Sequence, residues 1–478
     1  MATTNGNRKI LDLKRWEWLS PAPGTTVAGA FCAISRHYRQ QVLYVVSATL
    51  AWLYNPNEDG WVALPSPALT PGIGAGSSGI AVAWSTGATV GAEFLTATGG
   101  TTTTLVTNQT LARDLRGYQV QILSGPNAGE IKTIASNTIA ANATITFTAA
   151  SGSAFGATNT YRLLTPRWLV LANGTLAAGS FKQYDFATNT WTNLSQTGLA
   201  ATLGTDGHFA GASGIDGGII QSFATGTATG GTSTTLVNSA KTWTTNSWSN
   251  YQVRITGGTG VGQIRSIASN TGTTLTVGTA WTTTPDATST YSIEGNDNLV
   301  YYAGNNAVTL YRYNIATNTW STITPGTARA AAPGTGMSFD WVNGITAADW
   351  TGENNIQNGR YLYSWRGSAS AACDRYDIAL NAWSVVTPAP ATETFTSGTK
   401  YAYYGDYYYI QKDVTGRWFR HAIATQEIDG WNTNLYTQGA AVVGDTGFCY
   451  VYQDGATVIP YVAMVLNTSS ITMRQMVI

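Results

Sequence analysis

The chain has 478 residues, only 10% of them charged, with 25 Lys and Arg set against 25 Asp and Glu. That length can bury ample core, and a neutral balance without a basic stripe excludes nucleic acid as an expected partner. Three cysteines, Cys32, Cys373 and Cys449, are widely spaced and odd in number, so no disulfide framework is expected and a reducing, cytoplasmic site of synthesis is.

In chain order, Met1–Lys14 lacks the apolar core of a signal peptide. Trp16 opens WEWLSP, which matches Trp61–Pro65 (WVALP) and Trp383–Pro388 (WSVVTP). Val42–Tyr54 (VLYVVSATLAWLY) is too short to span a bilayer and reads as paired strands, so no membrane insertion is expected. Tyr54–Leu64 (YNPNEDGWVAL) is a hairpin whose acidic tip lacks the alternating ligands of a calcium loop.

The same phrase returns at Tyr184–Leu194 (YDFATNTWTNL), Tyr313–Ile323 (YNIATNTWSTI) and Tyr376–Val386 (YDIALNAWSVV), with a weaker copy at Asp429–Leu435 (DGWNTNL). Each is a strand ending in Tyr, a polar turn in which Asn tolerates unusual backbone angles, and a strand opening on Trp. The Trp markers are Trp16, Trp61, Trp191, Trp320, Trp383 and Trp431, read as core-packing rings. With two insertions set aside, they recur roughly every 45–63 residues, the size of a four-stranded propeller blade. The expectation is an all-β chain forming a six-bladed β-propeller. Lys9–Leu19 supplies the outer strand of the last blade, and Val458–Ile478 supplies inner ones.

The insertions are copies of one another. TATGGTTTTL (Thr96–Leu105) answers TATGGTSTTL (Thr227–Leu236), GYQVQI (Gly117–Ile122) answers NYQVRI (Asn250–Ile255), and GEIKTIASN (Gly129–Asn137) answers GQIRSIASN (Gly262–Asn270). Each predicts a small barrel or sandwich of five or six short strands. Each is expected between the first and second strands of its blade, after Ile80–Trp84 and Ile219–Phe223 respectively, so that the two stand side by side. The resulting division is propeller over 1–95, module over 96–164, propeller over 165–226, module over 227–295 and propeller over 296–478.

The Tyr-Asp turn followed by Trp resembles kelch-type repeats, in which these residues mark the outer strands of a blade, although the family's glycine pair is mostly absent from LVLANG and VYYAGN. The inserted words, with the Gly-rich Ser124–Ile134 and its echo Thr256–Ile267, resemble a module of tailed-bacteriophage structural proteins. These resemblances imply a propeller fold and a virion setting.

Catalytic constellations find little support. His37, His208 and His421 fall in separate blade regions, no G-x-S-x-G turn accompanies a histidine, and Gly257–Gly262 lacks the lysine of a phosphate loop. Arg366, Arg375, Arg417 and Arg420 cluster in sequence, but each is expected to serve a neighbouring carboxylate or carbonyl. No metal, cofactor or catalytic residue is predicted. Candidate interaction residues are Tyr404, Asp406 and Tyr407 in the tyrosine-dense YAYYGDYYY hairpin, and Trp350 in the polar loop Asn343–Gly359.

The functional expectation is a non-enzymatic virion protein, tail- or capsid-associated, acting as an assembly or host-attachment scaffold that presents paired β modules. Expected partners are other virion structural proteins in a symmetric multi-copy assembly, with a host surface glycan as a further candidate. The alternatives are a carbohydrate-binding lectin and, behind it, a glycan-cleaving enzyme.

Overall fold

The computed structural model describes residues 16–18, 20, 23, 29–35, 41–56, 58–74, 76–172, 175–201, 203–204, 206–211, 215–216, 219–220, 222–304, 307–332, 334, 340–341, 360–367, 370–386, 394, 400–404, 407–412, 417–422, 427–432, 446–454, 457–466 and 472–477. From residue 400 onward, side chains are described only at 409–410 and 419–422. Among the described residues all regular structure is β, and no helix is long and apolar enough to cross a membrane.

Four-stranded antiparallel meanders recur along the chain. The first runs through Phe31–Ile34, Val42–Val45, Ala51–Asn55 and Gly60–Ala63, the second through Ser78–Val82, Arg167–Leu171, Phe181–Asp185 and Thr190–Asn193. The third takes Gly207–Ala210, Leu299–Gly304, Leu310–Asn314 and Thr319–Ile323, and the fourth Asp340–Trp341, Tyr361–Trp365, Cys373–Asp377 and Ala382–Val386. Lys400–Tyr404, Tyr407–Lys412, Arg417–Ala422 and Glu427–Asn432 form the fifth. The last sheet joins the two ends of the chain. Thr446–Asp454, Thr457–Leu466 and Thr472–Val477 are completed by Trp16–Trp18, which pairs antiparallel with Thr472–Val477 as Trp16↔Met476.

The first strands of these sheets face one another. Phe31–Ile34 lies against Ser78–Val82, Ser78–Val82 against Gly207–Ala210, and Thr446–Asp454 against both Lys400–Tyr404 and Phe31–Ile34. Meandering sheets that abut through their first strands are consistent with a β-propeller.

The repeated phrase has a common geometry. Asp59, Asn189, Asn318 and Asn381 all sit in the left-handed region, with φ of 47°, 54°, 51° and 51°, a conformation that Asn and Asp tolerate better than other residues with a side chain. Each accepts a hydrogen bond from the tyrosine five residues earlier: Tyr54 Oη to Asp59 Oδ1 at 2.8 Å, Tyr184 to Asn189 at 2.8 Å, Tyr313 to Asn318 at 2.8 Å and Tyr376 to Asn381 at 2.7 Å. The strand register then places Tyr54 opposite Trp61, Tyr184 opposite Trp191, Tyr313 opposite Trp320 and Tyr376 opposite Trp383. Their ring centroids lie 4.7, 5.0, 5.1 and 5.2 Å apart. Trp320 and Trp383 are buried, whereas Trp61 and Trp191 are partly buried.

The same turns grip the preceding sheet. Ser20 donates its N–H to Asp59 Oδ1 at 2.9 Å, Trp191 Nε1 donates to Pro65 O at 2.9 Å, Ser195 N–H donates to Asn318 Oδ1 at 2.9 Å, and Asn381 Nδ2 donates to Thr324 O at 2.9 Å. Ser20, Pro65, Ser195 and Thr324 hold equivalent places just after Trp16, Trp61, Trp191 and Trp320.

One inner strand differs from expectation. The third sheet begins at Gly207–Ala210, not at Ile219–Phe223. Ile219–Ile220 instead pairs with Ile215–Asp216 in a separate hairpin, and Ser222–Thr227 opens the second module. Gly207 runs flush against Tyr302, whose hydroxyl would lie 2.0 Å from any Cβ there, so the strand accommodates that ring by starting on glycine.

Asn318→Ala removes the acceptor shared by Tyr313 and Ser195 and strains the left-handed turn, so it should destabilise by about 1–3 kcal/mol. Asn318→Gly loses the acceptor but keeps the backbone freedom, and its urea midpoint should fall between those of the alanine variant and the native chain.

Candidate functional site

Both insertions occupy the connection between the first and second strands of their sheets, the first between Ser78–Val82 and Arg167–Leu171 and the second between Gly207–Ala210 and Leu299–Gly304. The first is a closed barrel of Leu95–Gly100, Thr104–Thr107, Gln119–Ile122, Ile131–Asn137, Thr144–Phe147 and Thr160–Leu164. The second repeats its neighbour order in a seven-stranded sheet, because the first strand is interrupted between Ser222–Thr227 and Gly230–Thr232. Alternation buries Leu105, Val120, Ile122, Ile134, Ile145 and Tyr161 in one core and Leu236, Val253, Ile255, Ile267, Leu275 and Tyr291 in the other.

Buried charge gathers where the necks of the two modules meet the sheets. Arg162, on the last strand of the first barrel, donates from Nε to Glu93 O at 2.9 Å and lies 3.8 Å from Asp297, which follows the last strand of the second. Both side chains are only 2% exposed. Asp297 also accepts from Gln252 Nε2 at 2.9 Å, and Arg254 pairs with Glu294 at 2.8 Å. Trp84 lies beneath both Arg162 and Arg167, whose guanidinium carbons are 4.2 and 5.2 Å from its ring centroid. Arg167 donates to Thr86 Oγ1 at 2.8 Å and to Gln183 Oε1 at 3.2 Å. Below it, Ser85 donates to Asp185, whose other oxygen accepts from the Thr188 N–H at 3.1 Å.

Burial governs the protonation of this cluster. It depresses Arg162, opposed by Asp297, and brings Arg167 down to about 10, opposed by Asp185. The carboxyls of Asp185 and Glu294 are raised, again by burial, against the pull of Ser85 on one and Arg254 on the other. Across the seam Arg162 and Asp297 are opposite charges 3.8 Å apart, beyond hydrogen-bond distance, while Arg254 and Glu294 pair within the second module, so the chemistry of the cluster is structural, a fastener between module one and module two.

Cross-strand register exposes a difference between the copies. Arg162 faces Gln121 in the first, whereas Ser292 faces Arg254 in the second. The arginine keeps its level in the barrel but changes strand. Sequence reasoning did not single out Arg162, Arg254, Glu294 or Asp297. The signal lay in coupled departures between otherwise matched copies, Gln121 against Arg254 and Leu164 against Glu294.

The predicted interaction residues are placed as follows. Tyr404 and Tyr407 face each other in register across a hairpin, with their side chains beyond the described atoms. Asp406 and Trp350 lie outside the described residues. Trp16 and Trp431 stand on described strands, Trp16–Trp18 and Glu427–Asn432, through their backbones alone. His208 lies 3.2 Å from Asp206, while His421 is buried edge-on to Trp365 at 4.7 Å between centroids. Arg366 binds Asp374 at 2.6 Å, and Arg375 lies over Tyr361 at 4.4 Å. Among the described residues no three His, Cys, Asp or Glu side chains converge as a metal site would require.

No family model matches the chain, and no curated protein matches it. Solved structures with propeller-like sheets resemble it at low similarity. A chain of a mitotic checkpoint complex matches with a TM-score of 0.34 and 8% identity, covering 96% of this chain and 90% of that one. A phage phi92 endosialidase matches at 0.27 and 12%, covering 98% and 58%, and the NanB sialidase of Streptococcus pneumoniae at 0.24 and 7%, covering 95% and 82%. At these scores the likenesses transfer neither activity nor substrate.

Asp297→Ala removes the nearest counter-charge of the buried Arg162 guanidinium, leaving Glu93 and Glu294, and should cost up to about 3–5 kcal/mol, read from urea or thermal unfolding. Asp185 supplies a pH test. Its carboxyl is raised in the folded state, so the associated stability is present at low pH and lost as pH rises beyond the ordinary value of 3.8. The stability advantage of the native chain over Asp185→Asn should therefore shrink from acid toward neutral pH in parallel denaturation series.

Proposed function

We propose that the chain is a non-enzymatic structural protein of a tailed-bacteriophage virion, a closed six-bladed propeller that carries its paired barrels as an assembly or attachment scaffold. The observation that supports this most is the seating of two copies of one barrel at the same connection of consecutive sheets, bolted together by Arg162 and Asp297. Independent binding modules on flexible tethers would need no such seam. A scaffold that holds two modules at a fixed spacing does.

The meanders, the abutting first strands and the Trp16–Trp18 strand on Thr472–Val477 support the ring as the platform. The resemblance of the inserted words to phage structural modules supports the virion setting. In this reading the protein is made in the host cytoplasm, enters the particle at the tail, baseplate or capsid exterior, and docks through one propeller face while the barrels project from the other.

Mass spectrometry of purified particles, with copy number measured against the major capsid protein, is the test. A few to a dozen copies are expected for a tail or vertex component, and hundreds for a capsid decoration. Absence from particles overturns the proposal, and binding on a glycan array would then favour the lectin.

A further inference from the structure

The two barrels also meet through equivalent loops that continue from the strands of the ion-paired seam. GYQVQI and NYQVRI, then GEIKTIASN and GQIRSIASN, correspond without a gap, so Leu123 is the counterpart of Thr256 and Gly129 that of Gly262. A Cβ on Gly129 would lie 2.5 Å from Val261 Cγ2 and 3.6 Å from Thr256 O. A Cβ on Gly262 would lie 2.4 Å from Leu123 O. Thus Gly129 of the first barrel faces position 256 of the second, and Gly262 of the second faces the matching position 123 of the first. Reciprocal contact between like positions is the signature of a twofold, isologous interface. Copies related only by the step from one sheet to the next would meet through unlike surfaces.

Each barrel is also anchored to outer turns of the sheets. Ala112 donates its N–H to Ala187 O at 2.8 Å, and Arg113 reaches Asn189 at 3.0 Å, so the first barrel leans on the outer turn of its own sheet. The second is tied through Asn250, which donates from Nδ2 to Ile378 O in the outer turn of the following sheet and accepts from Arg312 Nη1 of its own sheet, both at 2.9 Å.

We propose that the loop face formed by residues 123–130, and by 256–263 in the other copy, is a self-recognition surface whose partner is a second copy of the same module. Duplication within the chain supplies that copy. Positive φ values of 89° and 87° together with absent side chains make Gly129 and Gly262 the residues that permit the approach. The assignment is independent of the virion reading.

Hydrogen exchange on the full chain tests it through reciprocity. Val261→Glu should speed exchange in residues 123–130 of the other barrel by about tenfold or more, and Ala128→Glu should do the same in 256–263. Amides in Phe181–Asp185 and Leu310–Asn314 serve as controls and should not change. A response confined in either variant to the mutated loop overturns the proposal. Should Val261→Glu disturb the control strands as well, Val261→Ala, which only empties the contact, takes its place with the same two outcomes.

Discussion

The hydroxyl of a tyrosine, donated to an Asn or Asp that closes a left-handed turn, is the interaction on which the sheets depend. It recurs at Tyr54–Asp59, Tyr184–Asn189, Tyr313–Asn318 and Tyr376–Asn381. The bond fixes the turn, the turn sets the register, and the register lays the tryptophan beside the tyrosine that began the phrase. Each aromatic pair then adds about 0.5–1.5 kcal/mol beyond the area it buries. Glycine could adopt the backbone angle but would leave the tyrosine hydroxyl and the neighbouring Ser20 or Ser195 N–H without an acceptor. The same side chain thereby closes its own hairpin and holds the exit of the sheet before it.

Two barrels on consecutive sheets would, without further constraint, be free to rock on their necks. The buried ions remove that freedom at a thermodynamic cost, because desolvating charge offsets most of what pairing returns. What the ions add is specificity. Moving the arginine from the strand bearing Arg162 to the strand bearing Arg254 makes the two copies complementary at the seam, with Glu294 and Asp297 together on the second.

The outer hairpins were legible in the sequence because every partner in them is local: the tyrosine, the turn residue and the tryptophan fall within one short phrase. The barrels were legible as duplicated alternating words. The inner strand of the third sheet was not, since Gly207–Ala210 is short and opens on glycine, whereas hydropathy points to Ile219. The ion-paired seam was hidden for another reason. Arg162 and Asp297 are remote in sequence, and each looks like an ordinary surface charge until the copies are aligned and their mismatches compared. Trp350 and Asp406 lie outside the described residues, so those candidates rest on sequence alone.

With only 10% of its residues charged, the chain nonetheless buries Arg162, Arg167, Asp185, Glu294, Asp297, Arg329 and Asp374. These ions act as internal fasteners, while the barrel tips carry hydroxyls, with Thr101 bonded to Thr104 and Thr232 to Thr235 at 2.8 Å on the two copies. Salt screens exposed charges over about 8–10 Å, but it acts far less on pairs sealed from solvent. The buried pairs therefore act where ionic strength has least effect, and the Thr101–Thr104 and Thr232–Thr235 turns make neutral contacts that salt hardly perturbs. Such a division suits a rigid body that must keep its shape as the surrounding medium changes.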